Sequence, residues 1–300
     1  MINIIVDKSG TDGEFKTIND AIASMPEGDE PITLAVYPGE YRERVNLKRK
    51  NVTLKGMGPG EVKIVYGEYA LKIHEDGRKT GTFRTATFMA DCDNFTAENI
   101  TFVNDAGQGS KVGQAIALYA DGRNQRYINC RMKGYQDTVF TAPLPPSAIQ
   151  IDGFLGEKQF MERRSADMEF IDCRIEGNID YIFGSAKAVF TGCTLFTRKR
   201  DTEGKCFVTA ASTPEGQKTG YVFRNCHFLT DAPAGTVYLG RPWRDFAKTE
   251  IINSFMDEGI APEGWDDWNK PSAWKTIRYS EKNCYGPGAS KNRAPFVSVE

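Results

Sequence analysis

Five segments of this chain share one design at irregular intervals, and no other feature limits its fold as strongly. They are NFTAENITFVN (Asn94–Asn104), RYINCRMKG (Arg126–Gly134), EFIDCRIEG (Glu169–Gly177), VFTGCTLFT (Val189–Thr197) and YVFRNCHFL (Tyr221–Leu229). A short aromatic or β-branched run meets Asn, Asp or Gly, usually then Cys, and a second apolar run follows. The cysteines stand at 130, 173, 193 and 226, and the shortest interval is 20 residues. Short strands divided by turn residues, repeating every twenty-odd residues without helical periodicity, predict a right-handed parallel β-helix. In such a solenoid each coil buries its inward residues on the coils above and below, so small thiols can stack in the core. A β-sandwich would carry hairpin turns such as Asn-Gly, and the chain has none.

The open end of a solenoid exposes strand edges and needs a cover. KTINDAIASMP (Lys16–Pro26) is the expected capping helix. Thr17 can cap it with Asp20 three residues on, Ile18, Ala21 and Ile22 share one face, and Pro26 ends it. One segment breaks the rhythm. TAPLPPSAIQIDGFLGEKQFMERRSAD (Thr141–Asp167) has three prolines and no repeat signature. It reads as a loop excursion from one coil, of the kind that walls a cleft. Residues 1–300 are otherwise expected to form a single domain.

A net charge of −2 gives no basic excess and argues against a nucleic-acid binder. No run of eighteen apolar residues predicts a membrane span. Met1–Val6 is too short for a signal peptide and lacks a basic start. The chain is therefore expected to be cytoplasmic, or secreted with its leader removed. Seven cysteines without a C-x-x-C pair predict buried reduced thiols rather than a disulfide framework or a zinc site.

Aligning the repeats on cysteine exposes a pair of carboxylates. Asp137 follows Cys130 by seven residues, and Asp180 follows Cys173 by seven. With the excursion set aside, the two coils are neighbours, about 4.8 Å apart at the backbone. The aspartates then project side by side. Their surroundings, QDTVF and DYIF, place both in strand-like sequence rather than in turns, where Asp is common. Two carboxylates this close resist double ionisation, so one can serve as an acid and the other as a base or nucleophile. The only histidines are His74 and His227, and there is no G-x-S-x-G elbow, which disfavours a Ser-His-Asp hydrolase.

Gln136, and Gln114 at the head of QAIALY, can donate to an oxyanion or serve as ordinary turn glutamines. Arg241, in LGRPW, offers a fork that could hold a carboxylate ionised or could form a surface salt bridge. Trp243, Phe140, Phe183 and Tyr119 can offer flat faces to sugar rings or fill core. Asp91, Asp93, Asp266 and Asp267 read as solvated turn residues, and no acidic cluster suggests calcium.

These motifs match a family. GEYRE (Gly39–Glu43), QAIALY (Gln114–Tyr119), GYQDTVF (Gly134–Phe140), DYIFG (Asp180–Gly184) and LGRPW (Leu239–Trp243) stand in the order of the pectin methylesterases, and the chain resembles them from about residue 3 to 285. The opening DKSGTDGEFKTINDAI (Asp7–Ile22) resembles the start of their catalytic domain. The resemblance implies a right-handed parallel β-helix that hydrolyses methyl esters of polygalacturonate to pectate and methanol, with no metal or cofactor. It implies Asp180 as nucleophile, Asp137 as general acid and then base, Gln136 and Gln114 as oxyanion donors, and Arg241 holding Asp180 ionised. Trp243 would stack on a galacturonate ring, and Phe140, Phe183 and Tyr119 would line the sugar cleft.

The implied partner is methyl-esterified homogalacturonan or its oligogalacturonides, bound by a monomer. The chain departs from the family in its Thr141–Asp167 excursion, longer than the link in many members, and in the absence of a leader. The alternatives are a related β-helix esterase for a non-pectin ester, a non-catalytic carbohydrate-binding β-helix, and a polysaccharide lyase.

Overall fold

Strands of two to six residues form where β-branched and aromatic residues lie between Asn, Asp and Gly turns. The computed structural model describes residues 2–11 and 13–300; Met1, and Asp12 within the Asp7–Ile22 stretch, lie outside them. The described strands fall into three sheets of eleven, eight and seven strands, each strand inside a sheet paired in parallel with the coil before and the coil after. Gln125–Ile128 belongs to the first sheet, Arg131–Lys133 to the second and Val139–Thr141 to the third. One circuit of the chain therefore visits all three sheets. The coil is right-handed, the hand that parallel crossovers of twisted strands take.

The core lies inside the coils and runs from Ile4 to Tyr279 as one buried cluster. Register stacks like on like. The rings of Tyr127, Phe170, Phe190 and Phe223 lie nearly parallel, with centroids 4.7, 4.6 and 4.4 Å apart. Cys130, Cys173, Cys193 and Cys226 are free and buried beside them, as the repeat predicted. Turns between strands use asparagine in the left-handed region, which Asn tolerates better than other residues with a Cβ. Asn51, Asn94 and Asn124 have φ of 60°, 56° and 53°. Their amides link coil to coil, Asn94 donating to Asn51 at 2.8 Å and Asn124 to Asn94 at 2.9 Å.

The N-terminal helix spans Ile18–Ala23, shorter than the expected Lys16–Pro26. Thr17 caps it, its hydroxyl accepting from the Asp20 N–H at 3.1 Å. The Glu43 carboxylate accepts from the N–H groups of Ile18 and Asn19 at 2.9 and 3.0 Å, so the first turn is satisfied twice over. Ile18 and Ala21 are buried against Ile2–Val6, the edge strand of the eleven-stranded sheet, and against Val45–Leu47.

The excursion contains no strand or helix between residues 142 and 166. It is tied to the solenoid by Lys158, whose ammonium pairs with Asp91 and, at 3.0 Å, with Asp121. Those two aspartates are register partners on neighbouring strands, so one lysine neutralises a stacked acidic pair. Arg163 organises the loop from within, donating to the carbonyls of Lys158, Gln159 and Met161. Among the described residues no helix is long and apolar enough to cross a membrane.

Candidate active site

Register brings the two aspartates together. Gln136 bridges to Ile179 in parallel, and the Asp137 N–H donates to the Ile179 carbonyl at 3.0 Å, so Asp137 and Asp180 stand at the same point of successive coils. Their expected placement in strands is corrected. Asp137 has φ of 62° and Asp180 of 48°, turn conformations between one strand and the next. The aromatic and β-branched residues after them belong to the strands that begin at Val139 and Ile182. A turn aspartate aims its carboxylate off the solenoid, which explains how a charged group stands among apolar neighbours.

Arg241 reaches Asp180 from two strands away. Across the seven-stranded sheet, Phe140 pairs with Phe183, Phe183 with Ala210 and Ala210 with Arg241. The small Ala210 side chain leaves room for the guanidinium to fold back. Its Nε lies 2.8 Å from Asp180 Oδ1 and its Nη2 lies 2.6 Å from Oδ2, a two-pronged ion pair. Phe207 and Trp268 hold the guanidinium from its faces, at 3.9 and 3.7 Å from the ring centroids. Trp268 keeps φ of 55°, a conformation unusual for a bulky residue, and the Asp266 carboxylate accepts its N–H at 2.7 Å.

A pocket of about 470 Å³ opens over these groups and is lined by Gln114, Gln136, Asp137, Asp180, Phe183, Arg241 and Trp243 together. Neither glutamine amide hydrogen-bonds to another described residue through its side chain, so both are available to a ligand. Gly109 makes this possible for Gln136, since a Cβ there would sit 2.4 Å from its Oε1. Neither His74 nor His227 lines the pocket. Among the described residues no group of three His, Cys, Asp or Glu side chains is arranged to hold a metal.

Two expected cleft residues lie elsewhere. Phe140 and Tyr119 are buried and do not line this pocket. Phe83 roofs them, with ring centroids 5.0 and 6.3 Å away, and Leu144 and Phe154 of the excursion share the same cluster. Phe83 and Phe154, though buried themselves, line the pocket where Phe140 and Tyr119 were expected. Phe83, Phe154, Phe207, Trp268, Arg244 and Lys270 belong to the site or its support and were not singled out in the sequence. Only Trp268 left a trace there, as an aromatic in an aspartate-rich turn.

Electrostatics separates the carboxylates. Burial pushes Asp137 well above the usual carboxylate range, the charge of Asp180 pushes it further, and Arg241 offsets only part of this. Asp180 is raised too, by burial, but less than Asp137, because the hydrogen bonds and charge of Arg241 oppose the shift directly. The pair titrates as a unit, with its last proton held on Asp137 and the carboxylate on Asp180.

The Pectinesterase family model matches residues 3–144 and 154–297. The chain belongs to the pectinesterase family. A pectinesterase from Petunia integrifolia is 34% identical over 292 residues, spanning 94% of this chain and 70% of that protein. The probable pectinesterase/pectinesterase inhibitor 58 of Arabidopsis thaliana is 34% identical over 300 residues, spanning 96% of this chain and 47% of its own length. The chain thus spans about half the length of the first curated relatives it matches. A crystal structure of a pectin methylesterase in complex with a hexasaccharide superposes with a TM-score of 0.80 at 30% identity, covering 100% of this chain and 93% of that one. The family model passes over residues 145–153, which lie wholly within the excursion.

Proposed function

We propose that this pectinesterase-family chain hydrolyses the methyl esters of polygalacturonate, with Asp180 as nucleophile and Asp137 as acid and then base. The observation that carries the reading is the two-pronged Arg241–Asp180 pair, which keeps one carboxylate ionised beside a second that holds its proton.

Asp180 attacks the ester carbonyl carbon, and the carbonyl π electrons move to oxygen. The Gln114 and Gln136 amides donate to that oxyanion. As the intermediate collapses, the C–O bond to the methoxy group breaks and Asp137 gives its proton to form methanol. A mixed anhydride joins the substrate acyl group to Asp180. Asp137, now ionised, takes a proton from water as the water oxygen attacks the substrate carbonyl. The anhydride bond breaks, Asp180 departs as carboxylate, and a free uronic acid remains. Trp243, half-buried with its centroid 5.8 Å from that of Phe183, supplies a face for a sugar ring. The proposed partner is methyl-esterified homogalacturonan or its oligomers, in keeping with the hexasaccharide held by the solved relative.

Methanol release from highly methylated pectin tests the reading. Release by the folded protein supports it. Activity on small acyl esters with none on pectin would replace it with an esterase for another ester, and binding without hydrolysis would leave a carbohydrate-binding solenoid.

Arg241→Lys is expected to lower kcat/KM by about 10²-fold, because an ammonium keeps the charge but loses the planar fork that orients Asp180. With less support for its carboxylate, Asp180 needs a higher pH to ionise. The acidic limb of the pH–rate profile should therefore move upward in pH. An unmoved limb would show that Arg241 does not set the ionisation of Asp180.

A further inference from the structure

Residues 145–153 lie outside the family match, yet they reach the catalytic groups. Ile149, Gln150 and Gly153 line the same pocket as Asp137 and Asp180. Ile149 is 73% exposed, a large apolar side chain left in water at the pocket's lip. The segment is held in place from both sides. Arg244 donates to the Ser147 carbonyl at 2.9 Å, and Asp152 pairs with Arg78 at 3.5 Å. The Gly153 N–H closes the turn on the Gln150 carbonyl at 3.1 Å.

This lip carries no cation of its own. The pocket's positive charges are Arg241, which a carboxylate neutralises, and Arg244 and Lys270, which backbone carbonyls hold in place. Asp180 takes Arg241, the Trp243 and Ser147 carbonyls take Arg244, and the Pro242 and Trp243 carbonyls take Lys270. A free uronate carboxylate laid against Ile149 would lose water on an apolar side chain and gain from the lip itself only the neutral amide of Gln150, a costly exchange for a charge. A methyl ester in the same place carries no charge and buries its methyl group on the isoleucine.

We propose that Ile149 is a specificity-determining residue, selecting a uronate that is itself methyl-esterified beside the ester under attack. The inference rests on the pectin reading given above. It makes densely methylated stretches the preferred substrate and slows the reaction as free carboxylates accumulate.

The test is kcat/KM for methanol release from a highly methylated and a sparsely methylated pectin, taken as a ratio. Ile149→Ser should lower the high-to-low ratio about fourfold, the scale of one methyl group's burial. Ile149→Lys should lower it about tenfold by attracting carboxylates. Both changes should lie in KM rather than kcat, since the lip does not touch the reacting atoms. Ile151→Ser, at a position 95% exposed and outside the pocket lining, should leave the ratio unchanged. An unchanged ratio in both active Ile149 variants, or an equal shift in Ile151→Ser, overturns the role of Ile149 alone. No methanol from either pectin with the wild-type protein overturns the pectin reading itself.

Discussion

Asp180→Asn is expected to remove methanol release by about 10⁴-fold or more while leaving the solenoid folded. The amide oxygen is too weak a nucleophile to form the anhydride, and no neighbouring group can replace it. Asp137 carries the proton needed by the leaving methanol, and the glutamine amides donate rather than attack. The fold should tolerate the change because position 180 has φ of 48°, a turn conformation that asparagine adopts as readily as aspartate. The cost to stability falls on Arg241, which loses its counter-charge but keeps Phe207 and Trp268 on its faces. A loss of about 1–3 kcal/mol is the scale for a polar group left without its partner. Methanol assay beside a thermal melt separates the outcomes: substantial activity in the folded variant would remove Asp180 as nucleophile.

Asp137→Asn is expected to lower activity by about 10²–10⁴-fold, the usual worth of a positioned acid and base. The wild-type rate should rise with pH as Asp180 ionises and fall as Asp137 loses its proton, giving a bell whose two limbs belong to the pair. In the variant the alkaline limb should vanish from whatever activity remains. An alkaline limb that persists would place that titration elsewhere.

Stability should move the other way. Asp137 has its folded pKa raised above the unfolded value, by burial first and Asp180 second. In the window between those values the unfolded chain has released the proton and the folded chain has not, so rising pH favours unfolding. The contribution is therefore fully present below the ordinary carboxylate range and is lost as pH rises through the folded pKa. Asparagine has no proton to lose. Melting curves at pH 4 and pH 7 should show the variant gaining on the wild type at the higher pH, and an equal difference at both would contradict the raised pKa.

The stacking of Asp137 on Asp180 was legible because the cysteine ladder fixes register, and counting seven residues from each thiol crosses the same turn in both coils. Their backbone state was not legible. A turn of this solenoid can be followed at once by aromatic residues, so flanking hydrophobicity mistook the start of the next strand for the turn itself. Phe183 and Trp243, candidate sugar faces in the sequence, line the pocket. Phe140 and Tyr119 do not line it, because an outward strand position is open or covered depending on what crosses above it. Here Phe83 and the excursion do so, and neither carries a periodicity that announces the contact. Trp268 and Phe207 reach Arg241 across coils that no local pattern links. The helix starts after Thr17 as its cap predicts and stops at Ala23 rather than Pro26, because the Met25 N–H turns back to the Ile22 carbonyl in a tighter closing turn.

The excursion also lies between the two paired carboxylates in the chain, leaving the solenoid after Asp137 and rejoining it before Asp180. On either side of it, Gln125 pairs with Met168 and Val139 with Ile182, so adjacent coils adhere through backbone ladders that need no peptide link at residues 145–153. A cut there divides the molecule into a half that owns Asp137 and a half that owns Asp180 and Arg241. Neither half can turn over alone, and each ends in a row of unpaired amides and carbonyls that the other fits. Methanol would then signal complementation, with one break in a surface loop making the enzyme a reporter of its own two halves meeting.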